Sequence, residues 1–202
     1  MTRKLADEVA RRREAAIAGH RGDVVTARGL VADPAPAVRA TALGALARAG
    51  GLTSDDLLAG LADDAVPVRA RSAELSASWP GDRPPALAPM LADTDPAVVE
   101  AAAWASGERT PPEPGIVDAL AAVVTDHDDP LCREAAVAAL GAIGDPAGLP
   151  AVLAATSDRP AVRRRAVLAL APFEGPDVDA ALDRALEDRD WQVRQAAEDV
   201  GR

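Results

Sequence analysis

The sequence predicts an all-α solenoid, a row of stacked helical hairpins forming a right-handed superhelix. Three observations predict it. The apolar residues are mostly small helix formers, a turn-and-arginine motif returns about every thirty residues, and the stretch after each turn carries an apolar stripe at helical spacing. The chain has 202 residues, nearly half of them apolar, with one Phe (Phe173), three Trp (Trp79, Trp104, Trp191) and no Tyr. Ala and Leu favour helices, whereas sheets draw on aromatic and β-branched residues. The length suits one domain, 1–202, with a sizeable core.

The repeat is read from six segments that run from an acidic turn into a helix. They begin at Ala32 (ADPAPAVRATALGAL), Ala62 (ADDAVPVRARSAEL), Ala92 (ADTDPAVVEAAAWA), Thr125 (TDHDDPLCREAAVAAL), Ser157 (SDRPAVRRRAVLAL) and Glu187 (EDRDWQVRQAAEDV). The recurring arginine is Arg39, Arg69, Arg133, Arg163 and Arg194, with Val99 in its place in the third copy. The steps between copies are 30, 30, 34, 30 and 31 residues, and a regular period of this size marks a repeat architecture.

Each copy divides into two helices. The stretch before the turn is the first, as in Ser54–Ala62, Pro114–Val124 and Pro176–Leu186. The stretch after it is the second, as in Ala37–Ala49, Pro130–Ile143 and Pro160–Ala171. Counting from the residue before the arginine as position 0, apolar residues fall at 0, 4, 7, 8 and 11. In the fourth copy these are Cys132, Ala136, Ala139, Leu140 and Ile143, a helical stripe. Proline in the first turn and Gly50, Gly144 and Gly175 at helix ends agree with this reading. The hairpins span approximately 23–50, 53–79, 82–108, 113–144, 146–172 and 176–202. Residues 2–19 form an extra helix that caps the stack, giving thirteen helices in all. Its apolar positions are Leu5, Val9, Ala16 and Ile17. Lys4–Glu8, Asp7–Arg11 and Glu8–Arg12 are potential pairs on its wet face.

The pattern Asp-x-x-Pro-x-Val-Arg followed by Ala-Leu-Gly-x-x-Gly resembles the HEAT-repeat family, in the short subtype known from phycobilisome-lyase-like proteins, over roughly residues 23–202. The resemblance implies a ladder of acid–arginine pairs between adjacent hairpins. Carried onto this chain, the rungs would be Asp33/Arg39, Asp63/Arg69, Asp158/Arg163 and Asp188/Arg194, interrupted at Val99. An arginine near a helix N-terminus opposes the helix dipole and needs an acid beside it. The turn residues Asp33, Asp63, Asp93, Asp126, Asp158 and Asp188 can supply that acid or cap the second helix. Arg109 reads as an ordinary surface arginine.

Few residues suggest chemistry. Cys132 is the lone cysteine, so no internal disulfide can form. It occupies a core position, whereas a reactive thiol wants an exposed, electropositive setting. Asp126-His127-Asp128-Asp129 has carboxylates and an imidazole close together, but it sits where turn residues are expected and lacks the spacing of a calcium loop. His20 reads as a polar turn residue. No nucleotide loop, zinc signature or serine-nucleophile motif is present, and no pigment site is recognisable. No cofactor and no metal are expected.

The net charge of −10 argues against nucleic acid and anionic membranes as partners. It is unevenly spread. Residues 1–50 carry nine Lys/Arg and five Asp/Glu, a local +4, and the rest carry thirteen and twenty-seven, −14. Lys4 is the sole lysine, and the Arg-, Ala- and Asp-rich vocabulary is that of a GC-rich bacterial genome. The N-terminus is too charged for a secretory signal and no stretch is a long apolar span, so the cytoplasm is the expected compartment.

The expected function is a non-catalytic scaffold or adaptor that binds another protein. The alternative is a HEAT-like DNA-binding protein or an alkylpurine DNA glycosylase-type enzyme. Arg11-Arg12-Arg13 and Arg163-Arg164-Arg165 invite it, but they lie far apart with acidic repeats between them. Positions 2 and 6 of each second helix, opposite the stripe, line the concave side in a HEAT solenoid. Along the chain they are Ala40 and Gly44, Ala70 and Glu74, Glu100 and Trp104, Glu134 and Ala138, Arg164 and Leu168, Gln195 and Asp199. Glu74, Glu100 and Glu134 around Trp104, continued by Arg164 and Leu168, form the candidate protein-binding surface. Its acids suit a partner with a basic segment.

Overall fold

Proline at the first turn and small apolar residues behind it start most of the second helices, and the rest of the architecture follows from how those helices stack. The computed structural model describes residues 3–79, 81 and 84–201. Met1, Thr2, Pro80, Asp82, Arg83 and Arg202 fall outside, and with them the expected starts of the leading helix and third hairpin and the end of the last. The Lys4 side chain, and so the Lys4–Glu8 pair, is outside too.

Twelve α-helices occur among the described residues: α1 (Arg3–Arg21), α2 (Val24–Gly29), α3 (Pro36–Ala49), α4 (Ser54–Leu61), α5 (Val66–Ser76), α6 (Pro96–Glu108), α7 (Ile116–Asp126), α8 (Pro130–Ile143), α9 (Leu149–Ala155), α10 (Pro160–Ala169), α11 (Pro176–Leu186) and α12 (Trp191–Val200). Two short 3₁₀ helices, Ala88–Ala92 and Pro146–Gly148, complete the regular structure, and no strand occurs among these residues. The chain divides into two compact units, Met1–Pro85 and Ala86–Arg202.

Among the described residues the expected thirteenth helix is absent, for a local reason. The third hairpin's first helix would have to run through Pro84, Pro85 and Pro89, which remove backbone donors. A single 3₁₀ stretch takes its place and packs on α6 and α7. Glu113 caps it, its carboxylate accepting from the Leu87 N–H at 2.7 Å and the Ala88 N–H at 3.4 Å. Arg109 is buried beside it, 3.4 Å from Glu113, and so is not the surface residue expected. Gly50 and Gly144 close α3 and α8 in the left-handed conformation. Gly175 instead precedes α11 as its N-cap.

Inside the second helices, positions 0 and 4 are buried in every copy, as are the Cβ-bearing residues at position 5 from Leu43 to Val167. Leu43 at this position lies beside Gly60 of the following hairpin, and Val167 packs with Ala185 and Val193 of the last one. Where α5 and α6 bury a serine, Ser72 at position 4 and Ser106 at position 8, the hydroxyl returns to its own helix: Ser72 to the Val68 carbonyl at 2.9 Å, Ser106 to that of Ala102 at 2.7 Å. Neither burial leaves an unmade hydrogen bond. Backbones approach closely at position 9. A Cβ built on Gly107 would lie 2.8 Å from the Ala139 Cα, and one on Gly141 2.7 Å from the Ala169 Cα.

The leading helix shares this register. Arg11 and Gly19 of α1 stand as Arg133 and Gly141 do in α8, and a Cβ on Gly19 would lie 2.7 Å from the Ala45 Cα. α1 thus packs on α3 as a second helix would. Ala15, Ala18 and Gly19 form its buried side, because small residues admit the close approach. Leu5, Val9 and Ile17, expected to face inward, are exposed.

Within each unit the arginine ladder links a second helix to the turn of the next hairpin, not to the carboxylate of its own. Arg11 holds Asp33 (Nε–Oδ2 2.6 Å) and Arg39 holds Asp63 (2.9 and 2.7 Å) in the first unit. Arg133 holds Asp158 (2.7 and 2.8 Å) and Arg163 holds Asp188 (2.9 and 2.8 Å) in the second. Within its own repeat the arginine instead donates to a turn carbonyl, as Arg39 does to Asp33 at 3.0 Å and Arg194 to Asp188 at 2.7 Å. The same carboxylates organise their turns, Asp33 accepting from the Ala35 N–H and Asp63 from the Ala65 N–H. Arg11 is thereby drawn to Asp33 rather than to Asp7 as the expected pair on α1.

In the fourth copy the ladder position is His127, not Asp126, which is exposed. The His127 Nδ1 accepts from the Asp129 N–H at 3.0 Å, as the aspartates do elsewhere.

The rungs carry stability. Arg39 and Asp63 are about five-sixths buried, with side-chain exposures of 15% and 16%. Arg39→Ala should cost about 1–3 kcal/mol, because it strands a mostly buried carboxylate. Arg189→Ala, in an exposed turn, should change the urea midpoint little. The guanidinium each accepts from holds Asp33, Asp158 and Asp188 below the usual carboxylate range. Burial pushes Asp63 up, but the Arg39 hydrogen bond and its companions outweigh it and the net shift is downward. A depressed folded-state pKa contributes stability above the unfolded carboxylate value, near ~3.9, and loses it as pH falls through the folded value. The urea midpoint should therefore fall below about pH 4. Asp158→Asn, less stable than the parent at neutral pH, should approach it at the acid end.

Close packing gives a second test. Gly107→Val should destabilise by about 1–3 kcal/mol, since its Cβ meets backbone. Gly29→Ala, with open space around it, should be neutral or stabilising by up to about 1 kcal/mol in urea unfolding.

Candidate functional site

The second helices α6 and α8 of the second unit turn their positions 2 and 6 away from the core, and those positions line a groove of about 600 Å³. Its floor is made of small residues, among them Gly107, Ala135, Ala138 and Ala142. The close approach at Gly107 and Ala139 keeps the floor smooth. Trp104 stands on it with 48% of its surface exposed, and Leu131 adds a second exposed apolar side chain. Glu100, Glu108 and Glu134 ring the indole, with Arg165 of α10 as the one cation of the lining. Arg165 lies 3.4 Å from Glu134, and its buried Nε makes no hydrogen bond.

The groove brings together Glu100, Trp104 and Glu134 of the expected surface. Glu74 belongs to the first unit, where its carboxylate pairs with Arg71 at 2.7 Å. Leu168 is half-buried against a cluster of Val167, Ala185, Val193, Ala196 and Ala197, which takes it off the open face. The groove draws on Arg165 rather than Arg164, because position 3 points at the preceding helix. Sequence reasoning missed Glu108, Leu131 and Arg165. The signal for Arg165 was its place in the register, one step past position 2. The triple-arginine run is divided: Arg163 is buried in a rung, and Arg165 faces the groove.

The other candidates have structural places. Cys132 is fully buried, its Sγ 3.3 Å from the Pro96 carbonyl, and burial pushes the thiol up to about 11. Asp129 caps α8 by accepting from the Leu131 N–H at 2.8 Å. His20 is exposed in the last turn of α1. Among the described residues no group of three or more His, Cys, Asp or Glu could hold a metal ion. No helix among them is long and apolar enough to cross a membrane.

With the stacked hairpins, the ladder and the groove established, comparison with known proteins places the chain. The model of HEAT repeats matches residues 84–159 and 117–200, together more than half of the chain. The chain belongs to the HEAT-repeat family. No curated protein matches its sequence. Among solved structures, it resembles YibA of Escherichia coli at 17% identity and a TM-score of 0.62, covering 98% of this chain and 73% of that one. Human deoxyhypusine hydroxylase, solved with glycerol, gives 20% and 0.50, covering 95% and 78%. A computationally designed armadillo repeat protein for modular peptide recognition gives 16% and 0.51, covering 96% and 91%. These likenesses concern the fold, an all-α helical-repeat solenoid.

Burial of the one thiol leads to a direct expectation. Cys132 should resist iodoacetamide at neutral pH in the native HEAT protein and react readily once unfolded in urea, as followed by mass spectrometry. Comparable rates in the two states would contradict its core placement.

Proposed function

We propose that this HEAT protein is a non-catalytic scaffold or adaptor, and that the groove around Trp104 takes a basic segment of a partner protein. The observation that carries the reading is the half-exposed indole on a floor of alanine and glycine, surrounded by Glu100, Glu108 and Glu134. An indole face attracts a guanidinium or ammonium, flanking carboxylates add hydrogen bonds and direct the approach, and small floor residues admit an extended backbone. Aromatic anchors are the common hot spots of interfaces. That a designed repeat protein of similar fold was made for peptide recognition is consistent with such use of a helical-repeat face.

The acidity of this groove disfavours the DNA-binding or glycosylase alternative, since a phosphate backbone would meet three carboxylates. The residues with chemical potential are engaged elsewhere, Cys132 in the core and the turn aspartates in rungs and caps. Hydroxylase activity belongs to one structural neighbour named for it, and the fold likeness does not carry it over. We read the cytoplasm as the compartment.

A labelled Arg/Lys-rich peptide, followed by fluorescence anisotropy and by quenching of Trp emission, tests the reading. Trp104→Ala and Glu100→Arg should each weaken binding by about 1–3 kcal/mol, a loss of about 5- to 150-fold, with the helical signal unchanged. Undiminished binding in both folded variants would remove this groove as the site.

A further inference from the structure

The first unit carries a groove on the same helical face with the opposite charge, and we propose that it binds an acidic segment of a protein. This goes beyond the basic-partner reading, lies in the other unit and stands or falls separately. The groove holds about 500 Å³ and is formed by α1, α3 and α5. Its floor is again small, including Ala16, Ala40, Gly44 and Ala70, and its charged lining is Arg12, Arg48 and Arg71 against the single acid Glu74, with His20 beside them.

Two of the arginines are seated by glycines. A Cβ on Gly44 would lie 2.8, 3.1 and 3.4 Å from the Nη2, Nε and Cζ of Arg71. The guanidinium therefore lies across the Gly44 backbone where any side chain would displace it. A Cβ on Gly19 would lie 2.8 Å from an Nη of Arg48. Glu74 holds the Arg71 Nη1 at 2.7 Å from the other side. Guanidinium groups fixed in place lose less freedom on binding and present the fork that matches a carboxylate.

The floor of methyl groups and bare backbone suits an extended chain. No aromatic side chain lines the groove for base stacking, and the chain's net charge of −10 opposes a polyanion as long as a nucleic acid. Local attraction for a short acidic peptide survives that background, because charges beyond about 10 Å are screened.

Anisotropy of a fluorescein-labelled Glu/Ala peptide with the full chain at about 0.1 M ionic strength, where the distant acids are screened, tests the proposal. The peptide should bind, and the Arg48→Ala, Arg71→Ala double variant should lose about tenfold in affinity. Glu74→Gln, which removes the competing carboxylate while keeping its shape, should gain about threefold. That gain is a readout that loss of fold cannot mimic. Trp104→Ala should leave acidic-peptide binding unchanged, and Glu74→Gln should leave basic-peptide binding unchanged, so the two grooves are tested independently. Absence of binding at about 0.1 M salt would overturn the proposal, as would affinity indifferent to Arg48, Arg71 and Glu74. Tighter binding of a single-stranded oligonucleotide of equal charge would assign the groove to nucleic acid instead.

Discussion

The bond between the arginine of one second helix and the aspartate of the next turn is the constraint on which the stacking depends. An Ala- and Leu-rich interface is attractive but undirected, since apolar burial scales with area and tolerates sliding. The rung removes that freedom. Arg39 reaches the Asp63 carboxylate through two nitrogens and the Asp33 carbonyl through a third, so it fixes its own turn and the next together. Asp63 in turn accepts from the Ala65 N–H, shaping the turn that starts α5. The same atoms set turn conformation, helix start and inter-hairpin register, which is why the motif returns at nearly constant spacing while the surrounding residues drift.

The one irregular copy obeys the same logic. Val99 replaces the arginine of α6 and is fully buried. The next turn places His127 where an aspartate would be, and its Nδ1 takes over the backbone hydrogen bond. Either change alone would leave a partly buried charge without its partner, a loss of several kcal/mol in the worst case. Together they exchange a polar rung for apolar packing plus an imidazole cap, which can be close to neutral in energy. The longer step to the fourth copy and the 3₁₀ stretch Ala88–Ala92 fall in this same region, so irregular spacing, proline content and the missing rung coincide.

Much of the fold was legible because its signals are local and repeated. Position 0 of each second helix, the turn acids and the prolines at helix starts can all be read from one copy and checked in the next. The rung partners were harder. Within one repeat Asp33 and Arg39 are six residues apart and look paired, whereas the geometry joins Arg39 to Asp63 across the inter-hairpin interface. α1 misled for a related reason: Leu5, Val9 and Ile17 are its largest apolar residues, but close packing at Gly19 selects the face of Ala15 and Ala18. Of the expected surface, Glu100, Trp104 and Glu134 meet in one groove, because positions 2 and 6 lie opposite the stripe. Glu74 and Leu168 do not, because one pairs with Arg71 in the other unit and the other is claimed by the packing of α10 against α12.

The residues that stack and those that could recognise a partner occupy different sides of the same helices. Positions 0, 1, 4, 5 and 9 are committed to core, rung and close approach, and change of type there is answered by a compensating change, as at Val99 and His127. Positions 2, 3 and 6 make no rung, and their chemistry varies from copy to copy, from open sites such as Glu100 and Trp104 to Leu168 and Ala196, which the core claims. The arginine at position 3 illustrates the consequence. Arg71 in α5 lies over Gly44 beside a single acid, whereas Arg165 in α10 faces a groove already holding three glutamates. One scaffold geometry thus supports a basic lining in one unit and an acidic lining in the other, and the sign in each case is decided by a few residues that the fold itself does not need.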